Sequence, residues 1–184
     1  MENMISPYTF LFSLLLLFGA SGASNLINQT CKNSSKNDPN INNKFCVYAL
    51  QSAPASHCAN ITRLGLISIT LIKHNVTDIR CLIKQLLQDK KVDLDTKQAL
   101  QDCLDLYSDS LVTLTEAAID YRENRFVDAN VKVSSVMEAS STCEEEFHDV
   151  GNGVGSPLTV QNNRIFQLSA ISLSIMNKFL SHDR

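Results

Sequence analysis

The chain has 184 residues, of which 44% are hydrophobic and 19% charged, and its formal net charge is −3. That length suffices for one core and one domain, and near-neutrality argues against nucleic acid or anionic membrane as partners, since both call for clustered Lys and Arg. Six glycines, three of them in the segment Gly151 to Gly155, leave little backbone for cradling a phosphate or cofactor, so no cofactor is expected.

Residues 1–23 read as a secretory leader. Phe10 to Phe18 form an apolar run followed by Ser21-Gly22-Ala23, an A-x-A-like end that places cleavage after Ala23. The run is far short of the ~20 residues a membrane-spanning helix needs. Unusually, the leader starts with Glu2 and carries no Lys or Arg. Residues 24–184 are the expected mature domain, with no membrane segment remaining after cleavage. Four N-x-[ST] sequons follow the leader, at Asn28, Asn33, Asn60 and Asn75, and they are candidates for N-glycosylation.

Residues 24–56 are polar and rich in Asn and Ser, and Asp38-Pro39 interrupts them. Two short helical pieces, about 24–32 and 41–52, are expected to form a hairpin arm. Residues 57–180 then read as four longer helices, at about 58–89, 95–122, 127–149 and 157–180. Each carries apolar residues in steps of three and four, as in Leu64, Ile72, Val76, Ile79 and Ile83 of the first, which face one shared core. Ser156-Pro157 suits the start of the last helix, and the glycine-rich Gly151 to Gly155 segment ends the one before it. Lys90 to Asp93 and Arg122 to Arg125 are short turns. Short connectors force antiparallel neighbours, so the expected fold is all-α, an up-down-up-down four-helix bundle with an N-terminal helical hairpin.

The six cysteines divide. Cys31 and Cys46 lie across the arm's loop and form a natural pair. Cys103, near the start of the second helix, and Cys143, near the end of the third, lie at one level of an antiparallel hairpin, and their bridge closes a loop of about 40 residues. Cys58 and Cys81 are both expected on the first long helix. Their separation of 23 residues is roughly 34 Å of helix, against about 7 Å for the Cα atoms of a disulfide, so they are expected to stay unpaired. The chain is expected to be a monomer, with a disulfide dimer open to it through Cys58 or Cys81.

Catalytic and metal-binding patterns are sparse. His57 beside Cys58 is the one thiol–imidazole neighbour pair, but adjacent helical residues point about 100° apart and do not face each other. There is no C-x-x-C, H-E-x-x-H or G-x-S-x-G motif, and Glu144-Glu145-Glu146 spreads over a solvated helix surface. Neither a metal nor enzymatic activity is expected. A secreted, stapled bundle of this kind acts by contact.

Several segments carry a resemblance. Thr30-Cys31-Lys32 with Phe45-Cys46, Gln101-Asp102-Cys103-Leu104-Asp105-Leu106-Tyr107, Ser141-Thr142-Cys143-Glu144-Glu145-Glu146-Phe147, Gly155-Ser156-Pro157-Leu158-Thr159 and Leu168 to Ile175 together resemble the plant invertase/pectin methylesterase inhibitor family. The resemblance spans nearly the whole mature chain. It implies a four-helix bundle with an N-terminal hairpin, the two disulfides above and no enzymatic activity. From the leader, and because no vacuolar sorting signal is evident, the expected location is the extracellular space or cell wall, with the vacuole as the alternative.

Invertase inhibitors of that family carry a Pro-Lys-Phe triplet between the second and third bundle helices, where it enters the substrate cleft. The matching residues here are Asn124, Arg125 and Phe126. By resemblance they are the expected target-binding residues, with Arg125 pairing with a glycosidase carboxylate and Phe126 stacking where a sugar ring sits. The competing structural role has Phe126 stapling the start of the third helix and Arg125 solvated. A plant acid invertase is the expected target and pectin methylesterase the runner-up. A secreted structural or storage protein with no target is the alternative outside inhibition.

Overall fold

The structure, a computed structural model, describes residues 24–147 and 155–180. The expected leader, His148 to Val154 and the last four residues lie outside them. Helices are the only regular secondary structure among the described residues. Helix α1 spans 24–37 and α2 Asn43–Ser52. A 3-10 turn covers Pro54–Cys58, and the long helices follow: α3 (Ile61–Gln88), α4 (Leu94–Arg122), α5 (Phe126–Glu145) and α6 (Thr159–Leu180).

Helices α3 to α6 close into a ring in which α3 packs on α4, α4 on α5, α5 on α6 and α6 on α3. The apolar stripes converge: Ile72, Val76, Ile79 and Ile83 of α3 meet Leu100, Tyr107 and Leu114 of α4, Val133 and Val136 of α5, and Ile165 and Leu168 of α6. The arm supplies a second, smaller core. Ile27, Cys31, Cys46 and Leu50 pack there against Leu64 of α3 and Ile171 and Ile175 of α6. Phe179 borders both cores, so the arm sits at the end of the bundle where α4 turns into α5.

The disulfides are Cys31–Cys46 and Cys103–Cys143, with Cα atoms 5.7 and 5.0 Å apart, and all four cysteines are buried. One holds α1 to α2. The other holds the N-terminal part of α4 to the C-terminal part of α5.

Some expected boundaries move. Helix α1 runs to 37 rather than 32, because Ser34 is buried and accepts a hydrogen bond from Ser174 Oγ of α6 at 2.7 Å, so the polar second half also packs. It stops at Asp38, where the following Pro39 disfavours helical backbone. Cys58 does not lie on the first long helix, as expected from sequence, but ends the 3-10 turn. Pro54 starts that turn, and Asn60 caps α3 in extended conformation, its side chain accepting from the Arg63 amide at 2.9 Å. The cap forbids an earlier helix start. Ser156 and Pro157 form a turn leading into α6, with the Ser156 hydroxyl accepting from the Leu158 amide at 3.1 Å.

Polar groups also reach the interior. The Tyr107 hydroxyl donates to Asn162 Oδ1 at 2.6 Å, and Asn162 Nδ2 donates to the Glu144 carboxylate at 2.7 Å. Thr159 Oγ1 donates to the other Glu144 oxygen at 2.5 Å. This relay joins α4, α5 and α6, and burial together with the Glu144 charge pushes the Tyr107 phenol well above its ordinary pKa.

Candidate functional site: the turn between α4 and α5

Helix α4 ends in a tight reversal. The Glu123 amide donates to Ile119 and Asp120 carbonyls, the Asn124 amide to Tyr121 O at 3.2 Å, and the Arg125 amide reaches back to Asp120 O at 2.8 Å. Asn124 adopts φ 59°, among the described residues the one non-glycine position with left-handed backbone. Asn tolerates that region better than most residues, and a left-handed residue just past a helix end lets the last carbonyls find donors. Proline, with φ locked near −65°, cannot take this conformation. The backbone at position 124 is therefore one that a proline there could not share.

Side chains hold the turn from below. Asp120 is 5% exposed and acts as a hub. Lys132 of α5 binds its carboxylate at 2.5 Å, and the Arg125 guanidinium binds the other oxygen through Nε at 3.0 Å and through a terminal nitrogen. Arg125 also pairs with Glu123 and, at 3.8 Å, with Asp128, while Lys132 lies 3.8 Å from Glu116. Hydrogen bonds from Lys132 and then from Arg125 hold the Asp120 carboxyl below the usual carboxylate range, and Asp120 in turn raises Lys132.

An aromatic group closes the base. The Phe126 ring stacks on Phe179 of α6 with centroids 4.6 Å apart and meets Tyr121 edge-on at 5.1 Å. Tyr121 is buried, and its hydroxyl lies over Gly65 of α3, where a Cβ would come within 1.9 Å of the oxygen. Only glycine admits that approach. The hydroxyl itself has no hydrogen-bond partner among the described residues, and burial raises its pKa strongly.

The three residues singled out from sequence thus stand together but play unequal parts. Asn124 is exposed at the tip, the Arg125 side chain is 46% exposed with its guanidinium already engaged, and Phe126 is half-buried in the aromatic group. Sequence reasoning missed Asp120, Lys132, Tyr121 and Phe179 as supports of the turn. A signal for Asp120 was present, since a charged residue between Ala117 and Tyr121 falls on the core-facing side of α4 and needs a partner there.

Elsewhere, Cys58 and Cys81 are unpaired and exposed. His57 is also exposed, and the described residues contain no group of three His, Cys, Asp or Glu able to hold a metal. Among the described residues no helix is long and apolar enough to cross a membrane. Among the sequons, Asn28, Asn33 and Asn60 are exposed, whereas Asn75 is half-buried and donates to the Leu71 carbonyl at 2.8 Å.

Comparison with known proteins places this architecture in a class of helical enzyme inhibitors. The family profile described as plant invertase/pectin methylesterase inhibitor matches residues 25–175, and the chain belongs to that family. A protein of Platanus acerifolia provisionally named an invertase inhibitor is 39% identical over 95% of this chain and 97% of its own length. Pectinesterase inhibitor 12 of Arabidopsis thaliana is 30% identical over 91% of this chain and 98% of its own. A crystal structure of a mutant pectin methylesterase inhibitor from Arabidopsis superposes with a TM-score of 0.65, covering 74% of this chain and 89% of that one at 24% identity, a likeness of fold.

Proposed function

We propose that the chain is a secreted inhibitor of a plant acid invertase, acting by wedging the α4–α5 turn into the active-site cleft. The observation that carries this reading is the braced turn itself. Its tip is exposed, yet backbone hydrogen bonds, the Asp120 hub and the Phe126–Phe179 stack leave it little freedom to lose on binding. The end-to-end similarity to a relative named for invertase inhibition supports the choice of target.

The roles of the three residues follow from how each is held. Asn124 enters first, because it stands at the tip. Arg125 turns its half-exposed guanidinium toward an acidic cleft by exchanging its exposed Glu123 contact for a cleft carboxylate, while its Asp120 contact fixes its direction. Phe126 anchors the wedge from within. Secretion rests on the leader read in residues 1–23, and the extracellular space or cell wall is the proposed location.

Pectin methylesterase inhibition is the second reading, favoured by the 30% identity to a pectinesterase inhibitor over nearly the whole chain. Assay of the purified protein against both enzymes tests the two. Inhibition of an acid invertase that weakens in Arg125→Ala supports the wedge. Inhibition of pectin methylesterase alone, or of neither enzyme with no complex on a sizing column, sinks it.

A further inference from the structure

We infer that Asn60 carries an N-linked glycan and that this glycan stands over the unpaired thiol of Cys58; the inference rests on the secretion proposed above. Three observations meet at one spot. Asn60 is an exposed sequon residue at the joint between arm and bundle, outside regular helix. Its Oδ1 is committed to the Arg63 amide, while its Nδ2 makes no hydrogen bond among the described residues. A glycan on Nδ2 therefore leaves the α3 cap in place.

The backbone between the two residues supplies the third observation. Ala59, at φ −88° and ψ 140°, and Asn60, at φ −85° and ψ 178°, are both extended. Cys58 closes the 3-10 turn and the chain runs from it straight into this extended joint, so Cys58 and Asn60 lie within about 7 Å of each other along the backbone. Both residues are exposed, with only the buried Ala59 between them. The first sugar on Asn60 is large enough to cover a neighbour at that spacing. An exposed free thiol in an oxidising compartment invites intermolecular disulfides, and the cover opposes them.

The sequon at Asn75, in the middle of α3, contrasts with this one. Asn75 is half-buried and its Nδ2 already donates to the Leu71 carbonyl, so a glycan there conflicts with the packed helix. It stays bare. The modification joins Asn60 Nδ2 to the anomeric carbon of an oligosaccharide carried on a lipid pyrophosphate. The new N–C bond replaces the carbon–oxygen bond to pyrophosphate, which leaves with the electron pair, and the amide gives up one proton.

The test uses the full chain made in plant cells, with glycopeptide mass spectrometry of the secreted protein and timed alkylation of its thiols. Asn60 should be occupied and Asn75 bare. Thr62→Ala destroys the sequon but keeps the Asn60 cap. It should remove one glycan, leave Tm unchanged and speed alkylation of Cys58 several-fold while Cys81 stays as before. It should also raise a disulfide-linked dimer that Cys58→Ser abolishes. A bare Asn60 in secreted protein overturns the inference and leaves secretion standing. An unchanged Cys58 alkylation rate in Thr62→Ala overturns the cover. Retention of the protein inside the cell overturns the secretion reading and the inference with it.

Discussion

The two described turns between consecutive bundle helices, residues 89–93 and 123–125, are both short and opposite in construction. The α3–α4 turn is held locally. Asp89 Oδ1 accepts from the Lys91 amide at 2.9 Å, and Asp93 caps α4 by accepting from the Thr96 amide at 3.0 Å and the Thr96 hydroxyl at 2.8 Å. The α4–α5 turn has no capping side chain at all, since Arg125 occupies that place. Its rigidity comes from groups contributed by three helices, Asp120 of α4, Lys132 of α5 and Phe179 of α6. A local cap gives a turn that ends one helix and starts the next. A tertiary brace gives a turn whose outer surface is fixed relative to the whole bundle, which is what a recognition element needs.

The contrast can be broken or sharpened by substitution. Removing the Cys103–Cys143 bridge in a double Cys→Ala variant frees the far end of the α4–α5 hairpin and should cost about 4 kcal/mol, by the chain-entropy estimate for its loop. Thermal unfolding measures that loss, and inhibition should fall only as unfolding begins. Asn124→Pro restores the family's residue yet should cost about 3 kcal/mol and weaken inhibition, because φ 59° is closed to proline. A more potent Asn124→Pro would show that the left-handed turn is not the active geometry.

Phe126→Ala comes next. Removing a half-buried ring from the stack should cost about 2 kcal/mol, and it should raise the inhibition constant more than that loss alone explains. Asp93→Ala should have the smallest effect, a lower Tm with inhibition of the folded protein untouched. Equal damage to inhibition from both turns would erase the distinction between them.

Acid separates the turns in the same way. Asp93 and Asp120 both have lowered pKa values, Asp93 chiefly through the Thr96 amide and Asp120 chiefly through Lys132. A lowered folded value means that the stabilisation is complete above the ordinary carboxylate range and is lost as pH falls through the depressed value. Protonating Asp120 releases Arg125 and Lys132 together, so inhibition should decline along with stability in that window. In Asp120→Asn the inhibition should lose that acid limb of its pH profile, whereas Asp93→Asn should keep it.

Much of this fold is legible in the sequence, because apolar residues at helical spacing on α3 to α6 announce both the helices and the faces they bury. The cysteines on those faces announce the hairpin. The turn residues can be found as a segment, but not their support, because Phe179 is 53 positions from Phe126 in the chain and joins it only after the bundle closes. The 3-10 turn before α3 was equally hidden. What separates it from α3 is the cap at Asn60, and Asn in an N-x-T sequon reads first as a glycan acceptor.

The Tyr107–Asn162–Glu144 relay has a consequence for assembly. Apolar stripes alone permit neighbouring helices to slip by one turn of about 5.4 Å with little change in buried area. Slippage here would strand a phenol, an amide and a carboxylate without partners, so the relay works as a key in a lock that admits one axial alignment. Asn162→Leu removes the key. Such a protein is expected to remain helical while losing sharp side-chain signals in its NMR spectrum, because several near-equal alignments then share the population.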